Sequence, residues 1–168
     1  MLLCRPAVPS GPPDESAFRL AGCPGGARPC VFCTAVDVSR LPMPPAARPR
    51  SVTITFSDAG KGKWTTCVDI LDAGGAASHA VSTAGLDGTS APIQDSTEAD
   101  TVALELPAPD VLVMDLVKSG IPASTRVYTV AADGRTLTET VAHVGGDGRP
   151  TMRTNHFVRL RSLVCRAR

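Results

Sequence analysis

The chain has 168 residues, enough for one domain with a core of its own and some tail to spare. Its apolar fraction of 43% and charged fraction of 20% are those of a globular protein. A net charge of +1 argues against a dedicated nucleic-acid binder, and no run approaches the ~20 apolar residues of a membrane-spanning helix.

The chain opens Met1-Leu2-Leu3-Cys4-Arg5-Pro6. This has neither the basic start nor the apolar stretch of a secretory signal, so the chain as written is expected in the cytoplasm. Ten of the fifteen Pro lie in residues 1–50, with Gly11, Gly22, Gly25 and Gly26 among them. Nothing in 1–31 repeats at a helical or strand period, so this arm is expected to be disordered, with at most one helical turn over 14–20 capped by Asp14. Arginines gather at both ends: positions 5, 19, 28, 40, 48 and 50, then 159, 161, 166 and 168. They are scattered, which suits solubilising ends better than a patch for nucleic acid or anionic lipid.

Residues 31–38 (VFCTAVDV) are the first with strand-like content, and the Pro-rich 41–49 leads on from them. From Arg50 the chain alternates. Val52, Ile54 and Phe56 share one face of a strand, and Trp64, Thr66, Val68 and Ile70 share one face of the next, with 58–63 as the turn between. A turn at 72–75 leads to a weaker strand over 78–84, and the polar 90–100 reads as a loop with a short strand near Ile93. Val102, Leu104 and Leu106 then face inward, a corner follows at 107–110, and Leu112, Met114 and Leu116 face inward on the next strand. The segment 124–160 reads as three strands joined at Asp133-Gly134 and Asp147-Gly148, a strong hairpin signal. The pattern is thus about eight short strands with turns about every 8–14 residues, and no sustained helical period. That points to an all-β fold, an antiparallel up-and-down sheet closed into a barrel, because closure removes exposed edges.

Residues 49–161 resemble a group of small uncharacterised bacterial proteins, usually exported, with a lipocalin-like (calycin-like) β-barrel. The resemblance rests on RSVTIT at 50–55, DAGKGKW at 58–64, EADTVA at 98–103, VYTVAADGRTLTET at 127–140 and DGRPTMRTN at 147–155, in that order. It implies a lipocalin-like barrel, taken as 32–161, between the arm over 1–31 that composition reads as disordered and a basic tail over 162–168. It also implies a periplasmic or secreted protein if the true start differs. No catalytic residues come with it.

Three chemical readings follow. Phe56, Trp64, Leu104, Met114 and Leu116 are the best candidates for the inward face. They either fill a core or line an apolar pocket, and a barrel of this size can do both. The leading expectation is a non-enzymatic barrel that binds a small apolar ligand, with no cofactor, nucleic acid or membrane span. The second reading is a hydrolase or isomerase at the barrel mouth. His143 and His156 flank the 147–148 turn roughly opposite one another, and Glu139 shares a strand face with His143. The third gives the N-terminal arm a metal or redox role through Cys23, Cys30 and Cys33. Cys30 and Cys33 have zinc-knuckle spacing, but no second such pair completes a four-ligand site. Cys67 lies on the face opposite Trp64, and a Cys67–Cys165 bridge would need a close approach of the two backbones. No GxSxG elbow and no phosphate-binding glycine loop occurs.

Overall fold

The structure, a computed structural model, describes residues 30–160. The arm up to residue 29, including Cys23 and the segment 14–20 where a helical turn is expected, lies outside the described residues. So do Cys165, the tail over 162–168 and the arginines at 5, 19, 28, 161, 166 and 168.

Ten strands follow one another: β1 (Cys30–Val36), β2 (Ser51–Gly60), β3 (Lys63–Leu71), β4 (Ala77–Gly85), β5 (Ala91–Gln94), β6 (Thr101–Ala108), β7 (Val111–Lys118), β8 (Ile121–Val130), β9 (Thr136–Val144) and β10 (Pro150–Arg159). Two single 3-10 turns, Val38–Arg40 and Pro45–Ala47, interrupt the Pro-rich connection between β1 and β2. Each strand from β2 to β10 pairs antiparallel with the next, and β1 joins β10 to β2. The result is a closed, all-β, up-and-down barrel.

The strand number is ten rather than about eight. The short run near Ile93 is a full member: β5 links β4 to β6 through two register pairs on each side. The 31–38 run is β1, which closes the barrel. Without either one the ladder would stop at an edge with unpaired N–H and C=O groups.

Local chemistry sets the hairpins. At the β7–β8 turn Ser119 and Gly120 have φ of 51° and 77°, the positive values that a two-residue turn needs to match the twist of its strands. At the Asp133 and Asp147 turns each carboxylate accepts from the backbone two residues on, at 2.9 Å from Arg135 N and 3.1 Å from Arg149 N. The corner expected at 107–110 is tighter than that. β6 runs on through Pro107, and the missing proline donor falls where the β6–β7 register shifts between Glu105 and Ala108.

Side chains alternate between solvent and interior. One end of the barrel is filled. There Phe56 meets Trp64 at 6.2 Å and Tyr128 at 5.6 Å, and Tyr128 meets Phe157 at 6.4 Å, the last two edge-on. Phe32, Leu104, Leu112, Val130 and Leu137 complete this floor, all nearly excluded from water. Arg159 lies over the Phe32 ring, 4.8 Å from its centre. The opposite end carries the β1–β2, β3–β4, β5–β6, β7–β8 and β9–β10 connections. No helix among the described residues is long and apolar enough to cross a membrane.

Candidate functional site

Above the aromatic floor the barrel holds a cavity of about 340 Å³. Val36, Val52, Ile54, Val68, Ile70 and Leu116 give it an apolar wall, and Leu41 to Met43 with Asp95 to Glu98 form its rim. The rim residues belong to the β1–β2 and β5–β6 connections, so the cavity opens at the end away from the floor. Its size falls in the range of small-molecule sites, about 300–1,000 Å³.

A row of polar side chains crosses the inner wall. Tyr128 on β8 stands opposite Glu139 on β9, and Glu139 opposite Asn155 on β10. The Tyr128 hydroxyl donates to Glu139 Oε1 at 2.7 Å, and Asn155 Nδ2 donates to Oε2 at 2.7 Å. Arg126, two residues before Tyr128 and so on the same face, donates from Nη1 to Glu139 Oε1 at 2.9 Å. Its Nη2 reaches Glu98 Oε1 on the β5–β6 connection, and its Nε contacts Ser124 Oγ at 3.4 Å. Glu139 is 2% exposed, Arg126 14% and Glu98 51%. One guanidinium therefore joins a buried carboxylate to one at the rim.

Burial by itself disfavours the charged guanidinium of Arg126. Tyr128, Glu139 and Glu98 outweigh that and raise its pKa further above its ordinary value. Burial likewise pushes the Tyr128 hydroxyl well above its usual range, reinforced by the neighbouring Glu139 and opposed by Arg126. Two cavity-lining residues keep a buried oxygen with no partner among the described residues, Asn155 Oδ1 and Thr66 Oγ1.

The structure separates the residues singled out from sequence. Phe56, Trp64, Leu104, Met114 and Leu116 all lie in the buried core. Only Met114 and Leu116 line the cavity, whereas Phe56, Trp64 and Leu104 do not border it. Glu139 is inside. His143 lies on the same strand face, half-buried, with Nδ1 buried and without a partner among the described residues. The expectation that His143 and His156 stand opposite one another is corrected by the ladder. His143 pairs with Thr151 and His156 with Thr138. Residues 151 and 156 have opposite parity on β10, so His156 sits on the outer face between inward Asn155 and Phe157. Glu139, His143 and His156 thus do not converge.

Cys33 is buried on β1, where Thr55 Oγ1 lies 3.4 Å from its sulfur. Cys23 and the Cys30 side chain lie outside the described parts of the chain. Cys67 is half-buried on β3, and burial followed by the charge of Asp69 raises its thiol pKa. Among the described residues no group of three His, Cys, Asp or Glu is placed to hold a metal ion.

Sequence reasoning passed over Arg126, Tyr128, Asn155, Thr66 and Glu98 as a site. A usable signal was there. Arg126 falls between Ser124 and Tyr128 on one strand face, and Glu139 between Leu137 and Val141, so a charge occupies an otherwise buried face twice. Compared with protein-family models, curated proteins and solved structures, the chain matches none.

Proposed function

We propose that this protein is a non-enzymatic, lipocalin-like binding protein that holds a small, mainly apolar ligand inside its barrel. The observation that carries this reading is the cavity of about 340 Å³, apolar along its wall and bordered by the buried Arg126–Glu139–Asn155 polar row. Small-molecule sites combine an apolar lining with a few fixed polar groups that orient the ligand. A protein that needed only a filled core would gain packing contacts by closing such a space, because an apolar wall that faces an open cavity forgoes them. The resemblance of residues 49–161 to exported lipocalin-like proteins supports the same reading. Native mass spectrometry of protein purified from its source tests it, together with melting scans in the presence of fatty acids and isoprenoids. A bound species or a rise in Tm is expected. A protein with no bound species and no Tm shift for any apolar compound would refute the proposal.

A further inference from the structure

The hydrogen bonds at the cavity wall specify the ligand's polar group more narrowly, given that the barrel is a binding protein. Glu139 accepts from three donors, the Arg126 guanidinium, the Tyr128 hydroxyl and the Asn155 amide. An ionised carboxylate has no hydrogen to give, so the Asn155 group 2.7 Å from Oε2 must be its NH2. That fixes the amide orientation and leaves Oδ1, an obligate acceptor, as the atom with no partner among the described residues. Asn155 is 8% exposed and lines the cavity. Thr66, 4% exposed on β3, lines the same cavity with an unpartnered hydroxyl that can give or accept.

The missing partner of Asn155 Oδ1 is therefore a donor. A buried acceptor left without a partner is costly, and a donor arriving in the cavity recovers that cost. A carboxylate ligand supplies only acceptors here. Beside Asn155 it would face Oδ1 and the oxygens of Glu139, while Arg126 is already engaged by Glu139 and by Glu98; the other cation that lines the cavity, Arg153, is exposed and lies two residues nearer the rim end of β10. An ammonium ligand brings donors, but it gives up its hydration on entering the cavity, and the charge of the buried Glu139 is already met by Arg126.

We infer that the barrel is built for a neutral ligand with a hydrogen-bond donor, a hydroxyl above all, on an apolar body, and that Asn155 Oδ1 receives that hydrogen with Thr66 as a second polar contact. The ligand class is thus an apolar alcohol rather than a fatty acid.

Four probes with one common chain test this on the full-length protein by calorimetric titration: decan-1-ol, decanoate, decylamine and methyl decanoate. The alcohol is expected to bind about tenfold tighter than the ester, which has no donor, and tighter than both charged probes. Thr66→Val and Asn155→Leu are each expected to narrow the gap between alcohol and ester, with circular dichroism checking that the variant folds. Should Asn155→Leu fail to fold, the comparison on the unaltered protein still decides. Equal affinities, or a preference for decanoate or decylamine, would overturn the assignment of the polar group and leave the cavity's binding role standing. No binding by any of the four, nor by the wider set of apolar compounds, would overturn both.

Discussion

Tyr128 and Glu139 face one another across β8 and β9, and the phenol donates its hydrogen to the carboxylate at 2.7 Å. Tyr128 is at the same time an edge-on partner of Phe56 and Phe157. One side chain therefore joins the aromatic floor to the polar row above it. Packing at one end of the barrel and the geometry of the cavity at the other are coupled through this residue.

Glu139 holds the row together, so its removal is expected to be costly. Glu139→Ala leaves Arg126 without its buried counter-charge and takes the acceptor from Tyr128 and Asn155. A loss of about 3–5 kcal/mol is expected in urea denaturation, the range for breaking one half of a buried ion pair. Replacing both partners, Arg126→Met with Glu139→Leu, is expected to restore much of that loss. A single variant as stable as the parent would show that the pair adds nothing to the fold.

Tyr128 is the chain's one tyrosine, so tyrosinate absorbance reports it alone. Burial, with Glu139 beside it, raises its pKa well above 10.0 in the folded protein. A raised acid pKa means that the folded state keeps its proton where the unfolded chain has lost it. The associated stability is complete below pH 10 and declines as the pH climbs from there toward the folded value. A folded sample just above pH 10 is expected to show little tyrosinate signal, and the signal is expected to appear together with unfolding. In Tyr128→Phe the alkaline fall in Tm should be shallower. Normal titration of the phenol in folded protein would contradict its buried, hydrogen-bonded placement.

Trp64 is likewise unique and only 8% exposed, so its emission is a probe of the floor. Phe56→Ala removes the ring that touches both Trp64 and Tyr128. It is expected to cost about 3–5 kcal/mol and to shift Trp64 emission to the red as water reaches the void. Because Phe56 does not border the cavity, any loss of ligand affinity should follow the loss of fold. A variant with unchanged stability and emission would place the packing elsewhere.

The weakest seam of the barrel is at β5. This strand has four residues, contains Pro92, and is tied by two register pairs to each neighbour. A second cleft, of about 190 Å³, lies beside it and is lined by Val81, Ser82, Thr83, Pro92 and Gln94. Hydrogen exchange is expected to be faster across Ala91–Gln94 than across the long β2–β3 and β9–β10 ladders. A ligand in the cavity should slow it, since Ile93 lines that space. Uniform protection around the barrel would show that β5 opens no more readily than the rest.

Much of the fold can be read from the chain because strand chemistry is local. The period of two placed Phe56, Trp64, Leu104, Met114 and Leu116 on the inner face, and the Asp-Gly pairs marked the last two hairpins. The same period put Glu139 on the strand face of His143, and the structure shows that this is the inner face, shared with Leu137 and Val141. The site was less legible, for a physical reason. Alternation decides which face a residue takes within its own strand, but not which residue of the next strand it meets. Counting outward from the Asp147-Gly148 turn put His156 against His143, whereas the ladder puts Thr151 there. The same offset turns His156 outward and brings Asn155 to Glu139.

The amino-acid sequence by itself determined the all-β class, most of the strands and their turns, and which residues of each strand share a face. Each of these follows from interactions within a few residues along the chain. Only the tertiary structure decided that β1 and β5 complete a ring of ten, and that Arg126, Tyr128 and Asn155 converge on Glu139. It alone decided that the floor is packed while the other end encloses a cavity. These depend on register and closure, which are set by the whole ladder at once and are not written in any single strand.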